Sequence, residues 1–225
     1  MQLSFMLSVV AGFAAVASGF PMAVPQSLVT RSSKTGCTLS PADYCQGTNN
    51  TNPQYLCGDY RLGPVVLPTA IPLGNLMSEY DRLGGLCPGE FLKTWTNAST
   101  GAYNYPPLAG FQPDTASAPI EGNQTLSVGT RVDRFGSAYG SYVSPAYAPY
   151  IQRALPPSNL DTPAGEPTYP YNYHVYEVLK PFVVLSGPIA PWFGQPGQGT
   201  QYGTPMSVGA LLNASYLREL TREEY

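Results

Sequence analysis

Three stretches in the second half of the chain hold the side chains best suited to gripping a ligand. The first is Asp133-Arg134-Phe135-Gly136-Ser137. If this region is extended, Leu126, Val128, Thr130, Val132 and Arg134 fall on one face, which turns a guanidinium toward apolar neighbours. A desolvated guanidinium needs a partner. Either a carboxylate such as Asp161 or Glu177 supplies it, or the phosphate or ribose of a ligand does, and position alone does not choose. The second is Gln152-Arg153-Ala154-Leu155-Pro156-Pro157. Its prolines stiffen the chain after Arg153, and a guanidinium fork suits phosphate oxygens. The plainer reading, and the one pattern alone favours, is an exposed arginine before a turn. The third is the loop Ala190-Pro191-Trp192-Phe193-Gly194-Gln195-Pro196-Gly197-Gln198-Gly199-Thr200-Gln201-Tyr202-Gly203. Its glycines permit close approach of backbone to a ligand, and its aromatics, Trp192 included, suit stacking on a flat ring. A Gly/Gln-rich loop by itself is usually no more than a loop.

Several catalytic schemes are excluded. The loop lacks the Gly-Lys-Ser/Thr ending of a Walker motif and does not open a helix as G-x-G-x-x-G. A Ser/His/Asp triad would have to use His174, the one histidine, and no Gly-x-Ser-x-Gly elbow exists to meet it. Cysteine–histidine catalysis fails because no cysteine lies in the second half.

The elements that must position these residues are short. Proline (24), glycine (23) and tyrosine (17) are abundant, a mix that argues for short strands and ordered loops over long helices. From Thr125 the pattern is that of a strand, which Gly129 divides into two pieces. Tyr171 to Lys180 reads as a better strand, with Tyr173, Val175 and Leu179 alternating against His174, Tyr176 and Val178. Phe182 to Leu185 reads as another. Ser207 to Leu220 reads as a closing helix, capped by Ser207, with Leu212, Tyr216 and Leu220 at four-residue spacing. Upstream, Leu76 to Leu83 and Gly89 to Trp95 read as helices, and residues 103 to 122 as a proline-rich linker or long surface loop. The fold class is α+β, mostly β. Residues 1–19 are expected to be a signal peptide, 20–122 an N-terminal extension beginning with an extended leader and ending in the linker, and 123–225 a catalytic domain.

Export is the expected route. Leu7 to Val16 is apolar and is followed by small-residue cleavage patterns, although no Lys or Arg precedes it. An uncleaved membrane anchor is the alternative, but the run is short. Four cysteines, Cys37, Cys45, Cys57 and Cys87, imply two disulfides in an oxidising compartment, with three connectivities open. A zinc site lacks a C-x-x-C pair and a nearby histidine. Asn49, Asn97, Asn123 and Asn213 are glycan acceptor sequons. The formal net charge of -3 does not advertise nucleic acid or an anionic membrane as partner. The acidic tail, with Glu219, Glu223 and Glu224, allows a calcium site through Glu223 and Glu224; a solvated helix end is the alternative.

Taken in order, the segments 133–137, 153–157, Tyr173-His174-Val175-Tyr176-Glu177-Val178 and 192–202 resemble the tuberculosis necrotizing toxin family of NAD glycohydrolases, and within it the secreted fungal surface NADases. The resemblance covers roughly residues 125 to 220. Arg82-Leu83-Gly84-Gly85-Leu86-Cys87-Pro88 and Asn104-Tyr105-Pro106-Pro107 look like the fungal N-terminal extension. The resemblance implies a toxin-like domain behind a small disulfide-stapled extension. It implies that Gln201, Arg153 and Arg134 are catalytic and that Phe135, Tyr142, His174, Gln195 and Trp192 contact substrate, with Phe135 at the nicotinamide end and Gln195 ranked below Gln201. It implies hydrolysis of NAD+, or NADP+, to nicotinamide and an ADP-ribose with no cofactor required, outside the cell or at its surface, by a protein able to form a homodimer. ADP-ribosyl transfer, cyclisation, or a non-catalytic surface role are the alternatives. The chemistry suits the inventory. Nicotinamide leaves as a neutral group and needs no proton donor, so the paired carboxylates of ordinary glycosidases are not required. Arginines can clamp the pyrophosphate, and an amide can orient water or the ribose hydroxyls.

Overall fold

Seven antiparallel strands form one sheet in the second half of the chain, in a computed structural model that describes residues 36–225. The signal peptide expected at 1–19 and the leader from 20 to 35 lie outside the described residues. The strands are β1 (Gly122–Leu126), β2 (Arg131–Phe135), β3 (Tyr142–Pro145), β4 (Tyr173–Val178), β5 (Phe182–Pro188), β6 (Thr200–Gly203) and β7 (Leu217–Glu219). Their order across the sheet is β1-β5-β6-β3-β2-β4-β7. Three short helices accompany them, α1 (Leu73–Leu76), α2 (Pro88–Trp95) and α3 (Val208–Asn213). The α+β, mostly β, architecture follows from the short apolar runs and dense Gly and Pro punctuation.

Gly129 divides β1 from β2, as the sequence suggested. Its φ of +83 is one that glycine adopts freely, and its amide donates to the Val178 carbonyl. The two strands separate: β1 pairs with β5, and β2 with β3 and β4. The single apolar face expected across the break is therefore incomplete. Leu126 and Val132 are buried, but Val128 sits beyond the end of β1 and is exposed. β4 is shorter than the Tyr171–Lys180 expectation, because Tyr171 and Asn172 adopt positive φ and leave the extended conformation. β5 runs to Pro188, three residues past the expected end.

The sheet is covered on both faces. One core joins Leu126, Val132, Val143, Tyr176, Val178, Val184 and Tyr202 to Val208 and Leu211 of α3. A second joins Phe135, Tyr173 and Val175 to Tyr150, Leu160 and Leu73, Leu76 and Met77 around α1. Burial on both faces leaves every residue of β4 but Glu177 buried. A third core lies around the disulfides Cys37–Cys87 and Cys45–Cys57 and includes Leu62, Leu83, Phe91, Leu92 and Phe193.

Three expected elements differ. The helix expected over 76–83 is instead α1, ending at Leu76, followed by turns. Leu76 serves the second core and Leu83 the third, and one short rigid rod does not fill both. The closing helix starts as expected, with the Ser207 hydroxyl accepting from the Ala210 amide, but stops at Asn213. Ser215 takes a positive φ and the chain becomes β7, which covers the open edge of β4. Unpaired edge backbone is worth more to satisfy than seven further residues of helix. Residues 103–122 are not a free linker. Phe111 is buried and bridges to Ile189, and Thr96 bridges to Tyr103. Among the described residues no helix is long and apolar enough to cross a membrane.

Asp161 lies partly buried after the turn Pro157–Leu160, with Oδ1 buried and unpartnered. Burial pushes its carboxyl up to about 7, against the opposing pull of Arg82. A carboxyl raised on folding contributes stability that is fully present below the unfolded value near pH 4 and is lost as pH rises through 7. Asp161→Asn should therefore melt higher than wild type at pH 8 and at the same temperature below about pH 4; equal melting at both pH values would contradict this.

Candidate active site

The site begins with an aspartate whose partners the sequence does not announce. Along β2, Val132 and Arg134 point to one side of the sheet, and Asp133 and Phe135 to the other. Asp133 is fully buried. Its carboxylate accepts from Arg153 Nη1 at 2.5 Å and Nη2 at 2.8 Å, from the Tyr147 amide at 2.8 Å and from the Tyr173 hydroxyl at 2.8 Å. Arg153 ends the 3-10 turn Tyr150–Arg153 and also donates from Nε and Nη2 to the Ala148 carbonyl. Its guanidinium lies 5.1 Å over the Phe135 ring. Arg153 is thus 5% exposed, not the exposed pre-turn residue that pattern favoured. Its fork is already occupied by a carboxylate from its own fold.

Above this pair opens a small cleft of about 50 Å³, lined by Asp133, Arg134, Phe135, Tyr142, Ser144, Arg153 and Gln201 among others. Arg134, Arg153 and Gln201, expected to act together, are therefore brought together. Arg134 donates from Nε to the Ser137 carbonyl at 2.9 Å and from Nη1 to the Tyr142 carbonyl at 2.7 Å. Neither Asp161 nor Glu177 pairs with it: among the described residues, Glu177 holds Arg218 instead, and no carboxylate reaches Arg134. Burial holds this guanidinium below its ordinary value, with the tyrosines Tyr176 and Tyr105 opposing. The guanidinium fits because residue 140 is glycine; a Cβ there would stand 2.0 Å from Arg134 Nη2. The two arginines so differ in kind. Arg153 is neutralised by Asp133, while Arg134 carries a positive charge with donor hydrogens to spare.

Gln201 of β6 lies opposite Gly187 of β5. Its Nε2 donates to the Ala109 carbonyl at 3.0 Å, which leaves the oxygen without a donor among the described residues. Phe135 lines the cleft but is 1% exposed, its ring edge-on to Tyr150 and tilted on Tyr173. Tyr142, at the rim, is the exposed aromatic.

Three expected site residues have other neighbours. His174 stands opposite Arg134 in the sheet, but its Nδ1 meets Glu219 at 2.6 Å, its Nε2 meets Asn172 at 3.2 Å, and Tyr169 stacks on its ring. Gln195 is buried and donates to the Asp81 carbonyl. Trp192 donates to the Asn104 carbonyl and packs beside Trp95. The glycines of the loop do permit close approach, but to the protein's own backbone: a Cβ at Gly194, Gly197 or Gly199 would meet Gly84, Ile189 and Ala190, or Gln152 at 2.8 Å or less. At the tail, Glu224 holds Arg218 and the Thr221 amide, and no group of three His, Cys, Asp or Glu side chains among the described residues is placed to hold a metal ion. The four sequon asparagines are all exposed.

Asp133 and the Ala109 carbonyl are the parts that sequence reasoning missed. The signal for Asp133 was present: a carboxylate two residues from Phe135 on the same strand face must be paired, and the nearest unassigned cation downstream is Arg153.

The Tuberculosis necrotizing toxin family matches residues 125–220, and the chain belongs to that family. It is 56% identical over 185 residues, 81% of this chain and 78% of the relative, to the conidial surface nicotinamide adenine dinucleotide glycohydrolase nadA of Aspergillus fumigatus. Among solved structures, the tuberculosis necrotizing toxin complexed with its immunity factor aligns over 80% of this chain and 83% of its own, at 19% identity and a TM-score of 0.40.

Replacing Arg153 by Met leaves Asp133 buried without its counter-charge, and removing one partner of a buried pair costs about 3–5 kcal/mol. Urea denaturation of Arg153→Met should show a loss of that size; a loss below about 1 kcal/mol would mean the pair is not the anchor described here.

Proposed function

We propose that this protein is a secreted or surface-bound NAD+ glycohydrolase that releases nicotinamide and ADP-ribose. The observation that carries the reading is the cleft itself, where an arginine that meets no carboxylate and a glutamine amide whose oxygen meets no donor, among the described residues, stand together. Membership of the toxin family and the name of the 56% identical relative point the same way.

In this reading Arg134 takes the pyrophosphate, since its charge is uncompensated and buried charge pairs are strongest where water is scarce. Gln201 Oε1 accepts from a ribose hydroxyl or from the attacking water. Tyr142 at the rim offers a ring for stacking, and Phe135 forms the floor. The bond between ribose C1′ and the pyridinium nitrogen breaks, its electron pair neutralises the ring, and nicotinamide departs without a proton. Water then bonds to C1′ and loses a proton to solvent. No residue need serve as acid. Arg153 is a positioning residue: with Asp133 it holds β2 and the 150–153 turn so that the cleft keeps its shape. His174, Gln195 and Trp192 act, in this reading, through packing and not by touching substrate. Calcium at Glu223 and Glu224, glycans on the exposed sequons, and a homodimer are further parts of the proposal that the cleft chemistry does not depend on.

Incubation of the secreted protein with NAD+ should yield free nicotinamide and ADP-ribose in equal amounts. Label retained on protein would indicate transfer instead, and no turnover would overturn the enzymatic reading. Gln201→Ala should lower kcat on the order of a hundredfold. Gly140→Ala should raise KM, because a Cβ at 140 would stand within 2.8 Å of the Arg134 guanidinium atoms and drive the group off the Ser137 and Tyr142 carbonyls. An unchanged KM would remove Arg134 from substrate binding. If the acidic tail binds calcium, calcium and not magnesium should raise the melting temperature, and Glu223→Gln with Glu224→Gln should abolish the rise.

A further inference from the structure

We propose that residues 106–111, which lie upstream of the family domain, form a strap that positions the reactive amide: the Ala109 carbonyl holds the Gln201 nitrogen so that the amide oxygen is the atom presented to the ribose. This rests on the reading of Gln201 as a catalytic residue.

The geometry is unusual and well braced. Leu108, Ala109 and Gly110 all adopt positive φ, at 54°, 54° and 88°. Two of these are L residues in a region they disfavour, and such backbone persists only where its surroundings hold it. Here they do. The Gln112 amide donates to the Pro188 carbonyl at 2.8 Å, and the Ala190 amide donates to the Gly110 carbonyl at 2.9 Å. The Phe111 ring is buried beneath, and the Ile120 amide closes the strap onto the Gln112 carbonyl at 2.8 Å. Pro188 pairs with Thr200, and Gly187 with Gln201, in the same ladder. The strap and the glutamine are therefore registered on a single strand, β5, and their separation is fixed by backbone hydrogen bonds on both sides.

A carbonyl can only accept. It therefore discriminates between the two ends of an amide that are otherwise nearly equal in size. Held at 3.0 Å from Ala109 O, the Gln201 nitrogen is removed from competition, and the oxygen is left without a donor among the described residues, in a cleft whose other charged and titratable lining groups are Asp133, Arg134, Tyr142 and Arg153. An unheld amide would rotate, and half its orientations would present N–H groups to a centre that becomes positive as the pyridinium leaves. Gly110 sits against this arrangement: a Cβ there would fit in ordinary contact with Gln201, at 3.4 Å from Oε1, but alanine disfavours the φ of +88, so Gly110→Ala would act by shifting the backbone that carries the Ala109 carbonyl. The extension is in this sense a working part of the site and not merely a stapled cover.

The test measures kcat and KM for NAD+ against pH in the full secreted chain. Gln201→Glu is the decisive variant. Its carboxylate has no hydrogen to give to Ala109 O, whereas its neutral acid does, so kcat should climb as pH falls toward about 5 and below, in the range where a glutamate protonates. Wild type should lack that climb. Gly110→Ala should lose roughly ten- to a hundredfold in kcat with KM little changed, the mark of a misplaced group acting in the reaction and not of lost binding. A Gln201→Glu profile that follows the wild-type profile, or a Gly110→Ala variant with wild-type kcat, would overturn the strap. Should Gly110→Ala fail to fold, the Gln201→Glu profile decides alone. Failure of the underlying reading is separable: there Gln201→Ala itself turns over NAD+ at the wild-type rate.

Discussion

A single buried carboxylate organises the site. Asp133 gathers the Arg153 fork, the Tyr173 hydroxyl and the Tyr147 amide onto two oxygens. These partners come from the 150–153 turn, from β4 and from the segment after β3. Removing Arg153 strands a buried carboxylate without its counter-charge, an expensive error for a core. The pair need not add net stability over a hydrophobic equivalent. What it adds is definition, because the directional bonds of a carboxylate fix where β2 ends and where the cleft opens.

From that constraint comes a division of labour between two arginines that look alike in sequence. Arg153 is spent on structure. Arg134 is folded beneath the 136–142 connection, held by two carbonyls and left with its charge. Glycine at 140 makes the room. The Gly/Gln-rich loop follows a parallel logic. Its glycines allow the chain to press against Gly84, Ala190 and Gln152, and this docks the loop onto the disulfide region through the Phe193 ring and the Gln195 amide. The extension thereby reaches the back of the loop, while its 106–111 stretch reaches the front of the cleft.

Much of the fold was legible because it rests on local pattern. The alternation in β4, the break at Gly129, α2 and the Ser207 cap are all set by neighbours within a few residues. What was not legible depended on distant partners. Nothing near Leu217 says that the chain should abandon a helix; the open edge of β4, some forty residues earlier in sequence, decides it. Leu76 and Leu83 suggest one helix because a sequence cannot show that they belong to two cores. The site divides the same way. Arg134, Tyr142 and Gln201 were named on resemblance and meet in one cleft, while His174, Gln195 and Trp192 were named alongside them and are engaged elsewhere. Their hydrogen-bond partners, Glu219, the Asp81 carbonyl and the Asn104 carbonyl, are fixed only by the fold.

The central claim is that the cation left unpaired, and not the one already paired, meets the dinucleotide, with the amide of Gln201 beside the bond that breaks. A crystal structure with a non-hydrolysable NAD+ analogue tests it most directly. The account predicts pyrophosphate oxygens within hydrogen-bond distance of Arg134, ribose C1′ near Gln201 Oε1, and the Asp133–Arg153 pair intact. An analogue seated against His174 or Trp192, or one whose phosphates pull Arg153 from Asp133, would contradict it.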